Sequence, residues 1–262
     1  MHLPEPDRAR FVDLNRTTLR LWEWGDPTDP AVICAHGAYD HGRMFDEVAP
    51  RLAARGLHVV APDLQGHGDS GRLSSGHVWS VSALDLALLA RELGDPVGLV
   101  GHSFGGGQAL YTAAIWPELV RWVVNIDGLG PSPEGFDDAA RLVEAVTAGF
   151  DAAQRVRANP IRIYDSLASM ANRRRRINVR LPEPWLEHLT RHGATPAGDG
   201  GWSWKADPMF NVGFVGAFDE EALLVQYRLV ERPTLVLTGT EPDAWSDLSA
   251  DDIGPVSYTH LT

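Results

Sequence analysis

Short runs of β-branched and apolar residues alternate with stretches of helical period through the first 127 residues of the chain. The runs are Thr18 to Trp22, Ala31 to Cys34, Leu57 to Ala61, Val97 to Val100 and Trp122 to Ile126. Between them, Met44, Phe45, Val48 and Leu52 recur at the spacing that lines one side of a helix, and so do Val81, Leu84, Leu88 and Leu89. Buried strands alternating with helices in this way predict an α/β fold built on a doubly wound, mostly parallel sheet. From Gly128 the rhythm breaks. The next hundred or so residues read as helices and loops, with turn clusters at Pro131 to Gly135 and Gly198 to Gly201, before Thr234 to Leu237 resumes as a buried strand. The expectation is a helical cap over 130–230, flanked by core segments 1–129 and 231–255.

Composition narrows the classes. A chain of 262 residues with 44% hydrophobic content can bury a substantial core. Its single cysteine, Cys34, excludes an internal disulfide and any cysteine-rich metal motif, and no third ligand stands at metal spacing beside His36 and His102, so no metal is expected. The start, MHLPEPDRAR, has no apolar segment, and no stretch approaches the ~18 apolar residues of a membrane span. The expectation is a soluble cytoplasmic protein with no membrane partner. Net charge is −12, which repels a phosphate backbone and argues against nucleic acid. The charge is uneven: residues 130–230 carry 12 basic and 13 acidic residues, the remainder 11 and 22. Arg173 to Arg176 with Arg180 form a basic cluster, read as a solvated face of a cap helix, with one or two arginines available to an acidic substrate.

The sharpest local signal is PVGLVGHSFGGG, residues 96–107, in which a buried strand runs into Gly101-His102-Ser103-Phe104-Gly105. This is the G-x-S-x-G nucleophile elbow: Ser103 must sit in a strained turn, with glycines two residues away on each side to avoid collision. The helix that follows supplies amide groups and positive potential for a developing oxyanion. A second strand, AVICAHGA, ends in His36-Gly37, which makes the Ala38 amide a candidate oxyanion donor beside that of Phe104. His36 itself is read as shaping this turn. In PDLQGHGDSGR, residues 62–72, the glycines and Asp63 read as a tight structural loop.

Together these segments strongly resemble the α/β-hydrolase superfamily over most of residues 10–132, and PTLVLTGTEPD resembles the strand and loop that follow its cap. GWSWKADPMF in the cap adds a resemblance to the capped serine hydrolases, and serine at the elbow argues against the branches that use a carboxylate nucleophile there. The resemblance implies a cap inserted after the sixth strand and a cofactor-free serine hydrolase acting on a small-molecule ester, thioester or lactone. Carbon–carbon bond hydrolysis, perhydrolysis, or ligand binding without turnover are the alternatives on the same fold.

The resemblance also implies an acid and then a histidine after Ser103. Asp243 is the first candidate for the acid, Asp127 at the end of the strand in NIDGLGP the second, and Glu241 the third. His260 is the one histidine after Asp243, but a helix, a strand and their connections need about 25 residues where 19 remain. The terminal VSYTHLT, residues 256–262, reads as translated adapter sequence in a chain that uses 22 Arg to one Lys. The expectation is therefore a non-native tail, with the last strand and the catalytic histidine missing. Aromatic residues of the cap, including Phe150, Trp185, Trp202, Trp204, Phe210 and Tyr227, are expected to divide between packing the cap and lining an apolar pocket.

Overall fold

In the computed structural model, Ile33, Leu99 and Val123 stand on three adjacent parallel strands and lie almost wholly out of solvent. Burial on both faces is what a parallel sheet sandwiched by helices requires. The structure describes residues 3–72, 77–94, 96–129, 139–158, 161–198, 200–210, 226–239 and 258–259.

In chain order the elements are β1 (Arg8–Asp13), β2 (Thr18–Trp24), β3 (Ala31–Ala35), α1 (Ala49–Ala53), β4 (His58–Pro62), α2 (Trp79–Glu92), β5 (Val97–His102), α3 (Phe104–Ile115) and β6 (Val120–Ile126). Then come α4 (Ala139–Ala158), α5 (Leu167–Arg175), α6 (Glu183–Gly193), β7 (Ala194–Pro196), β8 (Trp202–Trp204), β9 (Thr234–Leu237) and β10 (Tyr258–Thr259). The main sheet runs β1-β2-β4-β3-β5-β6-β9-β10, antiparallel at β1–β2 and β2–β4 and parallel elsewhere. A doubly wound, mostly parallel sheet is thus the architecture, with α4, α5, α6 and the β7–β8 hairpin between β6 and β9.

Three features differ from the sequence expectation. β1 was not anticipated: it is an edge strand whose exposed face carries Arg8 and Arg10, both paired with Glu23 of β2. The helix expected over Met44 to Leu52 is split into a 3-10 turn, Gly42–Phe45, and the five-residue α1, because Pro50 fits only a first helical turn. Finally, where no further strand was expected after β9, two residues of the supposed tail pair with it: Tyr258 opposite Thr234 and Thr259 opposite Leu235. No helix among the described residues is long and apolar enough to cross a membrane.

Candidate active site

β5 ends at His102 and α3 begins at Phe104, leaving Ser103 alone to reverse the chain direction. Its backbone takes φ 49° and ψ −119°, outside the regions open to ordinary L-residues. Such a conformation costs on the order of 1–3 kcal/mol, and the surroundings hold it. The Ser103 amide donates to the Ile126 carbonyl of β6 at 2.8 Å, and the Ser103 carbonyl accepts from the amides of Gly106 and Gly107 at 2.9 and 3.1 Å. A side chain at Gly101 would strike the Gly105 carbonyl, and one at Gly105 would strike the Ala35 carbonyl, so both glycines are required by close approach. Ser103 is half-exposed at the carboxyl end of the sheet, where ligands bind in open α/β folds.

The loop after β3 lies against this turn. A Cβ on Gly37 would come within 2.8 Å of His102 Nδ1 and 3.5 Å of Ser103 Cβ, which brings the segment bearing Ala38 beside the nucleophile's turn. His36 is fully buried and uses both ring nitrogens: Nδ1–H donates to the Gly37 carbonyl at 2.7 Å and Nε2 accepts from the Leu64 amide at 2.9 Å. Burial pulls its pKa down to about 4, so it is a neutral scaffold for the turn. His67 repeats the device, with Nε2 accepting from the Tyr39 amide at 3.1 Å and burial lowering its pKa to about 3. Asp63 organises the neighbouring loop by accepting from Trp22 Nε1 and from the amides of Gly42 and Asp69, at 2.7 to 3.0 Å.

The turn after β6 forms the other wall. Asn125, wholly buried, accepts from the Gly128 amide at 2.9 Å and donates to the Gly128 carbonyl at 3.1 Å, closing the turn around Asp127. Asp127 has φ 50°, its amide donates to the Leu237 carbonyl at 2.7 Å, and its Oδ1 is buried with no hydrogen-bond partner among the described residues. It lies near enough to His102 to offset part of the fall in that ring's pKa, which burial causes. Nothing in the sequence marks Asn125; its role follows from the tertiary turn. Asp243, Glu241 and His260 lie outside the described residues, so of the acid candidates the structure places Asp127 at the elbow and is silent on the others.

Among the described residues, the cap touches this assembly at several points. Phe210 is completely buried and sets its ring against Tyr39, His67, His77 and Phe104, with centroids 4.6 to 5.5 Å away. Arg174 of α5 donates to Asp40 Oδ2 at 2.9 Å, gripping the loop that follows Ala38. His188 of α6 places Nε2 3.0 Å from Asp46 Oδ2. Of the expected cap aromatics, Phe210 and Tyr227 are core residues, Tyr227 donating to the Leu129 carbonyl at 2.9 Å, whereas Phe150 is exposed. Phe136, Phe214 and Phe218 lie outside the described residues.

Asp46, His188 and His192 bring three potential metal-ligand atoms within 4.8 Å of one another, a grouping that sequence spacing does not reveal. The cation there is already a guanidinium. Arg43 Nε lies 2.9 and 2.7 Å from the two Asp46 oxygens, and its Nη1 is 3.4 Å from His192 Nδ1. Burial first, then Arg43 and His188, depress the His192 pKa to about 3. A second, divalent cation would meet that repulsion, so the cluster reads as a clasp between cap and core.

A strained serine between a parallel strand and a helix, under an inserted cap, agrees with the sequence match of residues 30–205 to the family described as alpha/beta hydrolase fold. The chain belongs to that family. It is 38% identical over 126 residues to lipase LipV of Mycobacterium tuberculosis, a match covering 47% of this chain and 44% of that protein. It is 30% identical over 233 residues to a 3-hydroxybutyrate-oligomer hydrolase of Cupriavidus necator, covering 84% of this chain and 76% of that one. Among solved structures, the thioesterase domain from the curacin biosynthetic pathway superposes with a TM-score of 0.80 at 26% identity, covering 94% of this chain and 86% of the domain. The chain spans less than half the length of several of the curated relatives it matches.

Proposed function

We propose that this alpha/beta hydrolase is a serine hydrolase that cleaves a carboxylic ester, thioester or lactone through an acyl-enzyme on Ser103. The observation that carries the reading is the backbone of Ser103, held at φ 49° with its side chain half-exposed above the sheet. Strain of this kind is maintained where a reacting atom must be presented in one orientation. Ser103 Oγ attacks the acyl carbon and loses its proton to a base, while the carbonyl oxygen gathers charge between the amides of Ala38 and Phe104. Collapse expels the alcohol or thiol with a proton, and water then releases the acyl group as a carboxylic acid.

Asp243 is the proposed acid, from its position in PTLVLTGTEPD, the segment that resembles the strand and loop after the family's cap. A second assignment, Asp127, is favoured by its buried, unpartnered Oδ1 beside the elbow. The proposal does not give the base role to His36 or His67, since each has both ring nitrogens engaged in loop structure. His260 lies outside the described residues and is given no role. The experiment is reaction with a fluorophosphonate and mapping of the adduct, with Ser103→Ala as the control.

A further inference from the structure

Four polar residues of α5 and its last turn, Ser169, Asn172, Arg173 and Arg176, follow the i, i+3, i+4, i+7 spacing of a single helix face. That face, together with Arg162 and Tyr164, lines a cavity whose volume is about 250 Å³. Opposite the helix, the segment is fixed: the Tyr164 amide and carbonyl both pair with Trp202 of β8 at 2.8 Å, and the Arg162 guanidinium stacks over the Tyr164 ring, 5.0 Å from its centroid. Cavity and cations are thus presented by two braced elements of the cap.

The neighbouring arginines show why this face is distinctive. Arg174 is paired with Asp40 and Arg175 with Glu183, whereas Arg162, Arg173 and Arg176 have no carboxylate partner among the described residues. All three line the one cavity, so an anion seated there would meet three positive charges. Asp165, in the same segment, is kept ionised by hydrogen bonding, from the Ser169 side chain first, and forms no ion pair with these three arginines among the described residues. Asn172 Oδ1 accepts from Arg175 at 2.8 Å, which leaves its amide hydrogens as donors. The donor set is planar guanidinium groups plus an amide, the chemistry that recognises phosphate oxygens two at a time. In a chain of net charge −12 such a concentration of unmatched positive charge is local and specific.

We infer that this cavity is a binding site for a phosphate group. Arg174, on the same helix, grips Asp40 in the loop after Ala38, so the site lies on an element tied to the proposed oxyanion loop. That connection deepens the serine hydrolase reading, on which this part rests: the substrate is an acyl ester or thioester whose leaving group carries phosphate, held at its far end by the cap. The same cavity would also take free phosphate, and the test separates the two sources.

Binding is measured calorimetrically on the intact Ser103→Ala chain, so that turnover plays no part. The probes are inorganic phosphate, butyryl-coenzyme A, and butyryl-N-acetylcysteamine, which has the same thioester without phosphate. Butyryl-coenzyme A should bind at least roughly tenfold more tightly than the truncated thioester, and Arg173→Ala/Arg176→Ala should abolish that margin. Arg155→Ala/Arg157→Ala removes the same charge from α4 and should preserve it; circular dichroism verifies that both variants fold. Binding of inorganic phosphate that is lost in Arg173→Ala/Arg176→Ala, with no preference for the phosphorylated thioester, would support the anion site and overturn its role in holding substrate. Equal loss in both double variants, or no binding of any phosphate probe, would overturn the site itself. None of these outcomes depends on whether Ser103 is the nucleophile, which the fluorophosphonate experiment decides separately.

Discussion

Phe210 of the cap meets Phe104, the residue after the nucleophile, edge to face, with ring centroids 5.2 Å apart and planes at 89°. This contact joins the cap to the first turn of α3, so cap docking and the placement of the Phe104 amide are mechanically linked. Phe210→Ala should destabilise the protein by about 3–5 kcal/mol, as expected for removal of a buried aromatic ring. Phe150→Ala, at an exposed position, should change stability by less than about 0.5 kcal/mol. Urea denaturation of the two variants tests the difference, and equal effects would show that Phe210 does not anchor the cap.

Strain at Ser103 predicts a trade between stability and activity. Glycine tolerates positive φ, so Ser103→Gly should raise the unfolding free energy, by on the order of 1 kcal/mol, while removing the reactive hydroxyl. A melting temperature below that of the parent chain would mean that the turn is not strained.

Burial of neutral histidines makes the fold sensitive to acid. Burial holds the pKa values of His36, His67 and His77 at about 4, 3 and 4, below the ordinary value of 6.5. The unfolded chain therefore binds more protons than the folded one once pH falls below about 6.5, and stability declines steadily down to about pH 4. Glu23 acts lower on the scale. Burial raises its pKa, but hydrogen bonds with His58 and Arg10 outweigh this and bring it to about 2, so its contribution is complete above 4.5 and is lost as pH falls towards 2. Thermal melting from pH 7 to 4 should show the histidine decline in Glu23→Gln as well as in the parent. A flat profile between 6.5 and 4 would contradict it.

Much of the architecture was legible because parallel strands buried on both faces are continuous apolar runs, and the elbow announces itself in five consecutive residues. β1 escaped notice because an exposed edge strand bearing Arg8 and Arg10 has no apolar run to read. The face of α2 is only partly legible: Ala83, Leu86, Ala87, Leu89 and Ala90 are its buried apolar residues, and alanines leave a weak hydropathy signal. At the site, Ser103 and the loop role of His36 could be read locally. The Asn125 clasp, the Phe210 anchor and the Arg174–Asp40 pair could not, since each depends on which distant segments the fold brings together. Arg174 stands in a run of four arginines that looks uniformly solvated, yet the fold half-buries it against Asp40 and leaves Arg173 and Arg176 exposed.

The choice between acids can be made by chemical rescue. Since no histidine of the chain is assigned as base, added imidazole should accelerate modification of Ser103. Asp243→Asn should reduce that acceleration at least roughly tenfold and Asp127→Asn should leave it intact, if the acid orients the imidazolium. The opposite pattern would assign the role to Asp127.

The central claim, that Ser103 is the nucleophile, is tested most directly by incubating the chain with a fluorophosphonate and locating the adduct by mass spectrometry. The account predicts a single adduct on Ser103, formed slowly, at a rate unchanged by His260→Ala and abolished by Ser103→Ala. An adduct elsewhere, or none on Ser103 after prolonged incubation, would contradict the nucleophile, and rapid labelling lost in His260→Ala would contradict the account of the base.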